Sequence, residues 1–200
     1  MKNRKMIGIA ATLVLSLGVL AACGDNDDYR SSDNKDAKQS SSSKSSSTQQ
    51  NDLNGKTFNL SMEDAINKFQ EKNKNADLTS VKLEYEHGKV VYKVEGMDDT
   101  NEYEMVFDAD SEEVLQDSSE ALDMDDKNER ANEKIDVTNV ISMDEAMQKA
   151  VAEVDGAVES VELDRSYNDT VYDVSIQNGA NESEVRLSAQ DGSIINVEND

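Results

Sequence analysis

The sequence predicts an α+β protein made of two tandem small units, each with one helix packed on a three- to four-stranded antiparallel sheet. A pattern of residues recurs after about 80 positions, which is typical of a duplicated structural unit. In each copy, apolar residues first follow helical spacing and then alternate with polar residues. A helix followed by an antiparallel meander satisfies both periods, with the helix covering the apolar face of the sheet.

The composition limits how much of the chain can pack. Only 36% of the 200 residues are hydrophobic and 4% are aromatic, and the formal net charge is −23. A chain this acidic repels phosphate backbones, so we expect no nucleic-acid partner. The charge could attract cationic partners or loosely held metal ions, but a solvated charged surface is the commoner explanation.

The first 22 residues are typical of a secretory signal peptide. Residues 1–5 are basic, and residues 6–20 form an apolar run that is shorter than a membrane-spanning helix of roughly 20 residues. The next residues, Leu20, Ala21, Ala22 and the chain's only cysteine, Cys23, resemble the lipobox of bacterial lipoproteins. An uncleaved anchor, or an ordinary signal that happens to contain a cysteine, is the alternative.

The lipobox resemblance implies that a signal peptidase recognises Leu20, Ala21 and Ala22 and that Cys23 carries a diacylglyceryl group. Each buried methylene of its acyl chains would contribute about 0.8 kcal/mol to membrane binding. We therefore expect a protein anchored in the lipid membrane through Cys23, on the extracellular face of a one-membrane, Gram-positive-type bacterium. Apart from this covalent lipid, we expect no cofactor.

Residues 23–56 are predicted to be a disordered tether. They are rich in Ser, Asn, Asp and Lys and have too little apolar surface to offset the entropy of ordering. A flexible chain of this length would give the folded part roughly 30 Å of reach from the membrane.

The two units are predicted over residues 57–117 and 137–199. Each opens with a serine suited to cap a helix, in SMEDAI at 61–66 and SMDEAM at 142–147. Strand motifs recur as SVKLE and SVELD at 80–84 and 160–164, VYKV and VYDV at 91–94 and 171–174, and VL and II at 114–115 and 194–195. Turns are predicted at His87-Gly88 and at Asp191-Gly192.

Residues 118–136 are predicted to be an acidic linker between the units. They contain LDMDDKNERANEK, which lacks the alternation of a strand. A flexible spacer that allows movement between the copies is the favoured interpretation, and a short charged helix is the alternative.

The order of these motifs resembles that of PepSY domains. Ser160-Val161-Glu162-Leu163-Asp164 and Val171-Tyr172-Asp173-Val174 are close to the wording usual in the family, whereas Asp110-Ser111-Glu112-Glu113 in the first copy lacks the usual turn glycine. The family occurs in propeptides of secreted metallopeptidases, in envelope proteins and in small lipoproteins, and it is thought to bind and restrain peptidases.

The resemblance implies a non-catalytic module that binds a protein or peptide of the cell envelope, with modulation of a secreted or envelope peptidase as the finer hypothesis. No peptidase domain follows the repeats, so we expect any inhibition to act on a separate enzyme. The alternative is a structural or stress-related envelope component that associates with cations or wall polymers. We expect a monomer in either case.

Candidate catalytic residues are scarce, and we do not expect an enzyme. His87 is the only histidine, and its place between a strand and Gly88 favours an exposed turn residue over a catalytic base. There is no HExxH motif, and no cysteine other than Cys23 that could act with His87.

Two further patterns are candidates for binding sites. Alternating acids occur at Asp108, Asp110 and Glu112 and at Asp123 and Asp125, but neither run has the glycine and the distal glutamate of a calcium loop, so no metal site is predicted.

Five tyrosines at strand spacing could line a peptide groove, although core or rim packing is the commoner role: Tyr85, Tyr92, Tyr103, Tyr167 and Tyr172. An exposed sheet edge could also accept a partner's extended strand without any special side chains.

Overall fold

The structure is a computed structural model that describes residues 51–122 and 130–199. The predicted signal peptide, the lipobox with Cys23 and the tether up to residue 50 lie outside the described residues, as do Asp123 and Asp125. No helix within the described ranges is long and apolar enough to cross a membrane.

Each copy contains one main helix followed by four antiparallel strands, which confirms the predicted fold class. The first copy comprises α1 (Met62–Lys72), β1 (Asp77–Glu86), β2 (Lys89–Met97), β3 (Asn101–Asp108) and β4 (Val114–Ala121). After a short helix, α2 (Arg130–Glu133), the second copy comprises α3 (Met143–Glu153), β5 (Ala157–Ser166), β6 (Asp169–Asn178), β7 (Asn181–Ser188) and β8 (Ile194–Asn199).

Both main helices begin at the predicted serines. The Ser61 hydroxyl accepts a hydrogen bond from the Asp64 N–H at 3.1 Å, and the Ser142 hydroxyl accepts one from the Glu145 N–H at 3.1 Å. Each bond satisfies one of the N–H groups that the first turn of a helix leaves without a partner. The acidic residues of the first turn also suit the positive end of the helix.

All eight strands form one sheet in the order β4-β3-β2-β1-β5-β6-β7-β8. The first strands of the two copies, β1 and β5, pair antiparallel, so an approximate twofold axis passes between them. The helices α1 and α3 contribute buried side chains to a core that runs through both copies. Its largest fully buried side chains include Phe69, Leu83, Phe107, Met147, Leu163 and Tyr172.

The turn between β3 and β4 forms without the glycine that the second copy uses. Glu112 has a φ of 61°, close to the 68° of its counterpart Gly192. The Asp108 carboxylate accepts hydrogen bonds from the N–H groups of Asp110 and Ser111, at 3.0 and 2.9 Å. The Asp108 side chain therefore stabilises this turn, whereas the turn of the second copy has glycine at the left-handed position and a carboxylate, Asp191, that accepts hydrogen bonds from Ser193.

The structure differs from the sequence prediction at the ends of the tether and of the acidic linker. Residues 118–121 continue β4 and pair with β3, although residues 118–120 all have polar side chains. Leu53 and Ile135 are buried, and each makes a backbone hydrogen bond to the other copy. A single apolar residue in a polar segment carries no periodic signal, so the sequence could not indicate that these residues are packed.

Candidate functional site

The two outermost strands, β4 and β8, present the free edges of the sheet. Each pairs with only one neighbour, β4 with β3 and β8 with β7. Within the described residues, no strand lies along their outer sides. An edge of this kind carries backbone N–H and C=O groups that can pair with another chain.

The backbone groups that point outward from β4 can be identified from the hydrogen bonds at its two ends. The Asp108 N–H donates to the Glu113 C=O at 2.9 Å, and the Leu122 N–H donates to the Thr100 C=O at 2.8 Å. Along an antiparallel strand, the backbone N–H and C=O groups of successive residues point alternately toward and away from the neighbouring strand. The N–H and C=O groups that point away from the sheet are therefore those of Asp117, Ser119 and Ala121.

Each free edge begins with a β-bulge that exposes apolar side chains. The register places Phe107 opposite Val114 and Val106 opposite Gln116, so Leu115 is the extra residue in β4. In β8 the counterpart of Leu115 is Ile195, which is 55% exposed. We call the pair Val114 and Leu115 the β4 edge patch, and the pair Ile194 and Ile195 the β8 edge patch.

The two copies have opposite charges at three equivalent positions of the sheet. The lysines of the first copy and their acidic counterparts in the second are Lys82 and Glu162, Lys89 and Asp169, and Lys93 and Asp173. Arg186 donates two hydrogen bonds to Asp173, at 2.7 and 2.8 Å. Burial, followed by the nearby Asp173 carboxylate, raises the pKa of Glu184 above its usual value. These three exchanges make the sheet of the second copy more acidic than that of the first.

Both copies match the model of a known protein family. The model of the family described as "Peptidase propeptide and YPEB domain", or PepSY, matches residues 59–117 and 140–198, which together are more than half of the chain. The chain belongs to the PepSY family. Each match covers one helix, the three strands that follow it and part of the fourth strand, so the two copies are two PepSY domains.

A solved structure supports the same assignment. The crystal structure of a candidate lipoprotein from Clostridium difficile 630 is 36% identical in sequence, with a TM-score of 0.72. The match covers 75% of this chain and 99% of that one. No curated protein is significantly similar to the chain. The resemblance to PepSY domains inferred from the sequence is thus confirmed for both copies.

His87 lies at the tip of the first PepSY hairpin, as expected for a turn residue. Its φ is 51°, its side chain is 90% exposed, and its Nδ1 atom lies 3.5 Å from Glu86 Oε1. Its counterpart Tyr167 has a φ of 56° and is 95% exposed. The described contacts of His87 include no nucleophile that it could activate.

The alternating acidic residues Asp108, Asp110 and Glu112 do not converge on a calcium site. Lys89 donates to the Asp108 carboxylate at 2.6 Å, and this bond, with those from the turn, lowers the pKa of Asp108 to about 2. Glu112 instead forms an ion pair with Lys68 at 3.3 Å. Among the described residues, no group of three or more His, Cys, Asp or Glu side chains could hold a metal ion.

The five tyrosines do not form a common groove in the PepSY sheet. Tyr92 and Tyr172 are buried, and burial raises the pKa of Tyr92 to about 12. The Tyr172 hydroxyl donates to the Ile141 C=O at 2.7 Å, and the Tyr103 hydroxyl donates to Asp98 at 2.8 Å. The structure therefore places these tyrosines in core and rim packing, apart from the exposed Tyr167.

A polar cleft of about 610 Å³ was not anticipated from the sequence. It lies beside the tip of the β1–β2 hairpin, where Lys56 contacts the Tyr85 hydroxyl and stands 4.9 Å from the centre of its ring. Asp108 and Lys89, which form an ion pair, also line it. The cleft brings together residues from before α1, from β1 to β3 and from the turn after β3, so no local sequence pattern could have revealed it.

Proposed function

We propose that the chain is an extracellular lipoprotein whose two PepSY domains form a non-catalytic module that binds an extended segment of a cell-envelope protein. A secreted or envelope peptidase is the partner we propose first, because the family name links these domains to peptidase propeptides. The observation that carries the proposal is the free edge of β4, with its outward backbone groups and its exposed apolar patch.

The lipid anchor in this proposal is Cys23. It is the only cysteine of the chain and follows Leu20, Ala21 and Ala22 directly after an apolar run. The similar protein from Clostridium difficile, described as a candidate lipoprotein, supports this part of the proposal. Anchoring through Cys23 would place the PepSY domains on the outer face of the membrane, next to the envelope proteins that they would bind.

Docking of a strand on β4 would use both main-chain and side-chain contacts. Asp117, Ser119 and Ala121 each offer one outward donor and one outward acceptor, and each hydrogen bond of this kind is worth about 0.5–1.5 kcal/mol net. The β4 edge patch adds apolar surface at one end, since Val114 and Leu115 are 51% and 45% exposed. The bulge at Leu115 would confine the partner strand to the regular part of β4 that follows it.

The residues that could take part in acid–base chemistry are exposed or have structural roles, which also supports a binding role. The only histidine, His87, is exposed at a hairpin tip. The carboxylates with lowered pKa values, such as Asp98 and Asp108, hold turns through hydrogen bonds to the backbone. These carboxylates therefore have structural partners, whereas an acid–base pair needs groups that are free to exchange a proton.

The test is cross-linking of the native lipoprotein on intact cells, followed by identification of captured neighbours by mass spectrometry. Ser119→Pro removes one outward N–H, and its ring is tolerated at an edge because the bonds to β3 come from neighbouring residues. Ser119→Ala is the matched control, since it retains the N–H. We expect Ser119→Pro to lose a specific neighbour that the wild type and Ser119→Ala both capture. Equal capture by all three proteins would contradict docking on β4.

The second candidate function is a structural or stress-related envelope component that associates with cations or wall polymers. The acidic residues Glu162, Asp169 and Asp173 of the second PepSY domain favour it, because they stand where the first domain has lysines and make this surface more negative. Repeating the cross-linking at raised salt separates the two candidates. Diffuse electrostatic association should fade as screening increases, whereas a docked strand should remain.

A further inference from the structure

The junction between the two PepSY domains is short and nearly symmetric. It pairs four residues of β1 with four of β5: Val81 with Leu163, Lys82 with Glu162, Leu83 with Val161, and Glu84 with Ser160. Because Val81 corresponds to Val161 and Leu83 to Leu163 in the repeat, the approximate twofold axis passes between Lys82 and Glu162. Only at this position does a residue lie opposite its own counterpart.

The two side chains at the axis have opposite charges and lie in contact. Lys82 Nζ is 4.0 Å from Glu162 Oε2, and the Ser80 hydroxyl donates to Glu162 Oε1 at 2.8 Å. Both side chains are about a quarter exposed, so solvent screens their interaction only in part. The equivalent position therefore carries lysine in one domain and glutamate in the other, with a direct interaction between them.

Beyond these four pairs, the start of each first strand is bonded to a segment that precedes the other domain's main helix. The Leu53 N–H donates to the Val158 C=O of β5, and the Ile135 N–H donates to the Leu78 C=O of β1, both at 2.9 Å. Asp52 also accepts a hydrogen bond from the Val158 N–H at 3.0 Å. Direct strand pairing between the domains is thus confined to the four positions around the axis.

We propose that the first strand of a PepSY domain is a docking edge for a second PepSY domain, and that the Lys82–Glu162 pair selects the unlike domain over the like one. A contact between the first domains of two chains would place lysine against lysine at the axis. A contact between two second domains would place glutamate against glutamate. Like charges directly opposite each other on neighbouring strands are destabilising, so the chain pairs with itself in the observed arrangement.

Charge reversal in the full chain tests the proposal, because each single variant reproduces one like pair at the axis. Glu162→Lys places two lysines there, and Lys82→Glu places two carboxylates there. Each variant also gains an opposite-charge neighbour on its other side, because Lys82 lies opposite Lys93 and Glu162 lies opposite Asp173. These gains cancel in a double-mutant cycle. We expect the double variant Lys82→Glu/Glu162→Lys, which restores opposite charges at the axis, to melt about 2–4 °C above the sum of the two single changes. Lys82→Gln and Glu162→Gln give milder neutral substitutions should a reversal prevent folding.

The matched control is Lys93→Glu, which reverses a charge on the neighbouring strand, away from the axis. Lys93 lies 3.8 Å from Glu84, a carboxylate that Lys82 also contacts, at 3.1 Å. Lys93 also lies opposite Lys82, but β1 separates it from Glu162. The effects of Lys93→Glu and Glu162→Lys should therefore add without coupling. The proposal is overturned if the cycle of Lys82→Glu with Glu162→Lys shows no stabilising coupling, or if the cycle of Lys93→Glu with Glu162→Lys shows an equal one.

Discussion

Leu53 and Ile135 are exchanged between the two PepSY domains. Leu53 precedes the first domain's helix, yet its N–H donates to Val158 of the second domain. Ile135 precedes the second domain's helix, and its N–H donates to Leu78 of the first. Both side chains are buried in the core that runs through the two domains. Each domain thus depends on a segment that belongs to the other, and we infer that the described part of the chain unfolds as one unit.

Truncation of either exchanged residue should destabilise both domains together. Leu53→Ala and Ile135→Ala each remove a buried aliphatic side chain, and we expect a loss of about 2–5 kcal/mol in the free energy of unfolding. Urea denaturation should show a single transition whether it is followed by circular dichroism or by tyrosine fluorescence. Leu115→Ala is the control, because Leu115 is exposed and its loss should cost about 0.5 kcal/mol or less. Two separate transitions would mean that the domains unfold independently.

The elements within each domain could be predicted from the sequence because their signals are local. Ser61 and Ser142 mark the helix starts, and the alternation in β1, β2, β5 and β6 identifies the side chains that face the core. The duplication strengthens each prediction, because a segment with an ambiguous pattern in one copy can be compared with the equivalent segment of the other copy. The turn at Glu112 forms as in the second copy, although its sequence lacks the glycine.

The arrangement of the domains and the candidate site depend on contacts between distant residues, which local patterns do not encode. The pairing of β1 with β5 joins strands that both show ordinary alternation, so neither sequence identifies the other as its neighbour. The free edge of β4 was missed in part, because residues 118–120 are polar on both faces. The position of an edge strand with little apolar surface is set mainly by its backbone hydrogen bonds to β3. The periodicity of its side chains carries no information about these bonds.

The Asp108 carboxylate should make the stability of the fold depend on pH below about 4. Its pKa is about 2 in the folded protein and 3.8 without these contacts, because Lys89 and the turn N–H groups stabilise the charged form. A lowered pKa adds stability that is fully present above pH 4 and is lost as the pH falls through 2. We expect Asp108→Asn to be less stable than the wild type at pH 5 and to approach it near pH 2. Urea denaturation across this range measures the difference.

The control for this pH dependence is Asp110→Asn. Asp110 lies in the same turn but contributes its N–H group to the Asp108 carboxylate, so its side chain does not accept those bonds. Its stability relative to the wild type should change less between pH 5 and pH 2. If the two variants lost stability in parallel, the dependence would come from the general acidity of the chain and not from the Asp108 hydrogen bonds.

The left-handed residue in the turn before each edge strand should respond oppositely to substitution in the two domains. Glu112 has a φ of 61°, which costs about 1–2 kcal/mol in a residue with a Cβ atom, whereas Gly192 takes a φ of 68° freely. Glu112→Gly should therefore raise the free energy of unfolding by up to about 1 kcal/mol, after loss of the exposed ion pair with Lys68. Gly192→Ala should lower the free energy of unfolding by more than about 1 kcal/mol, because its Cβ would also lie 2.5 Å from the Lys149 side chain.

Thermal and urea denaturation of both variants test this prediction. The control is Glu112→Ala, which removes the ion pair but keeps the Cβ atom and so isolates the backbone contribution. Equal stability of Glu112→Gly and Glu112→Ala would show that the turn stores no backbone strain.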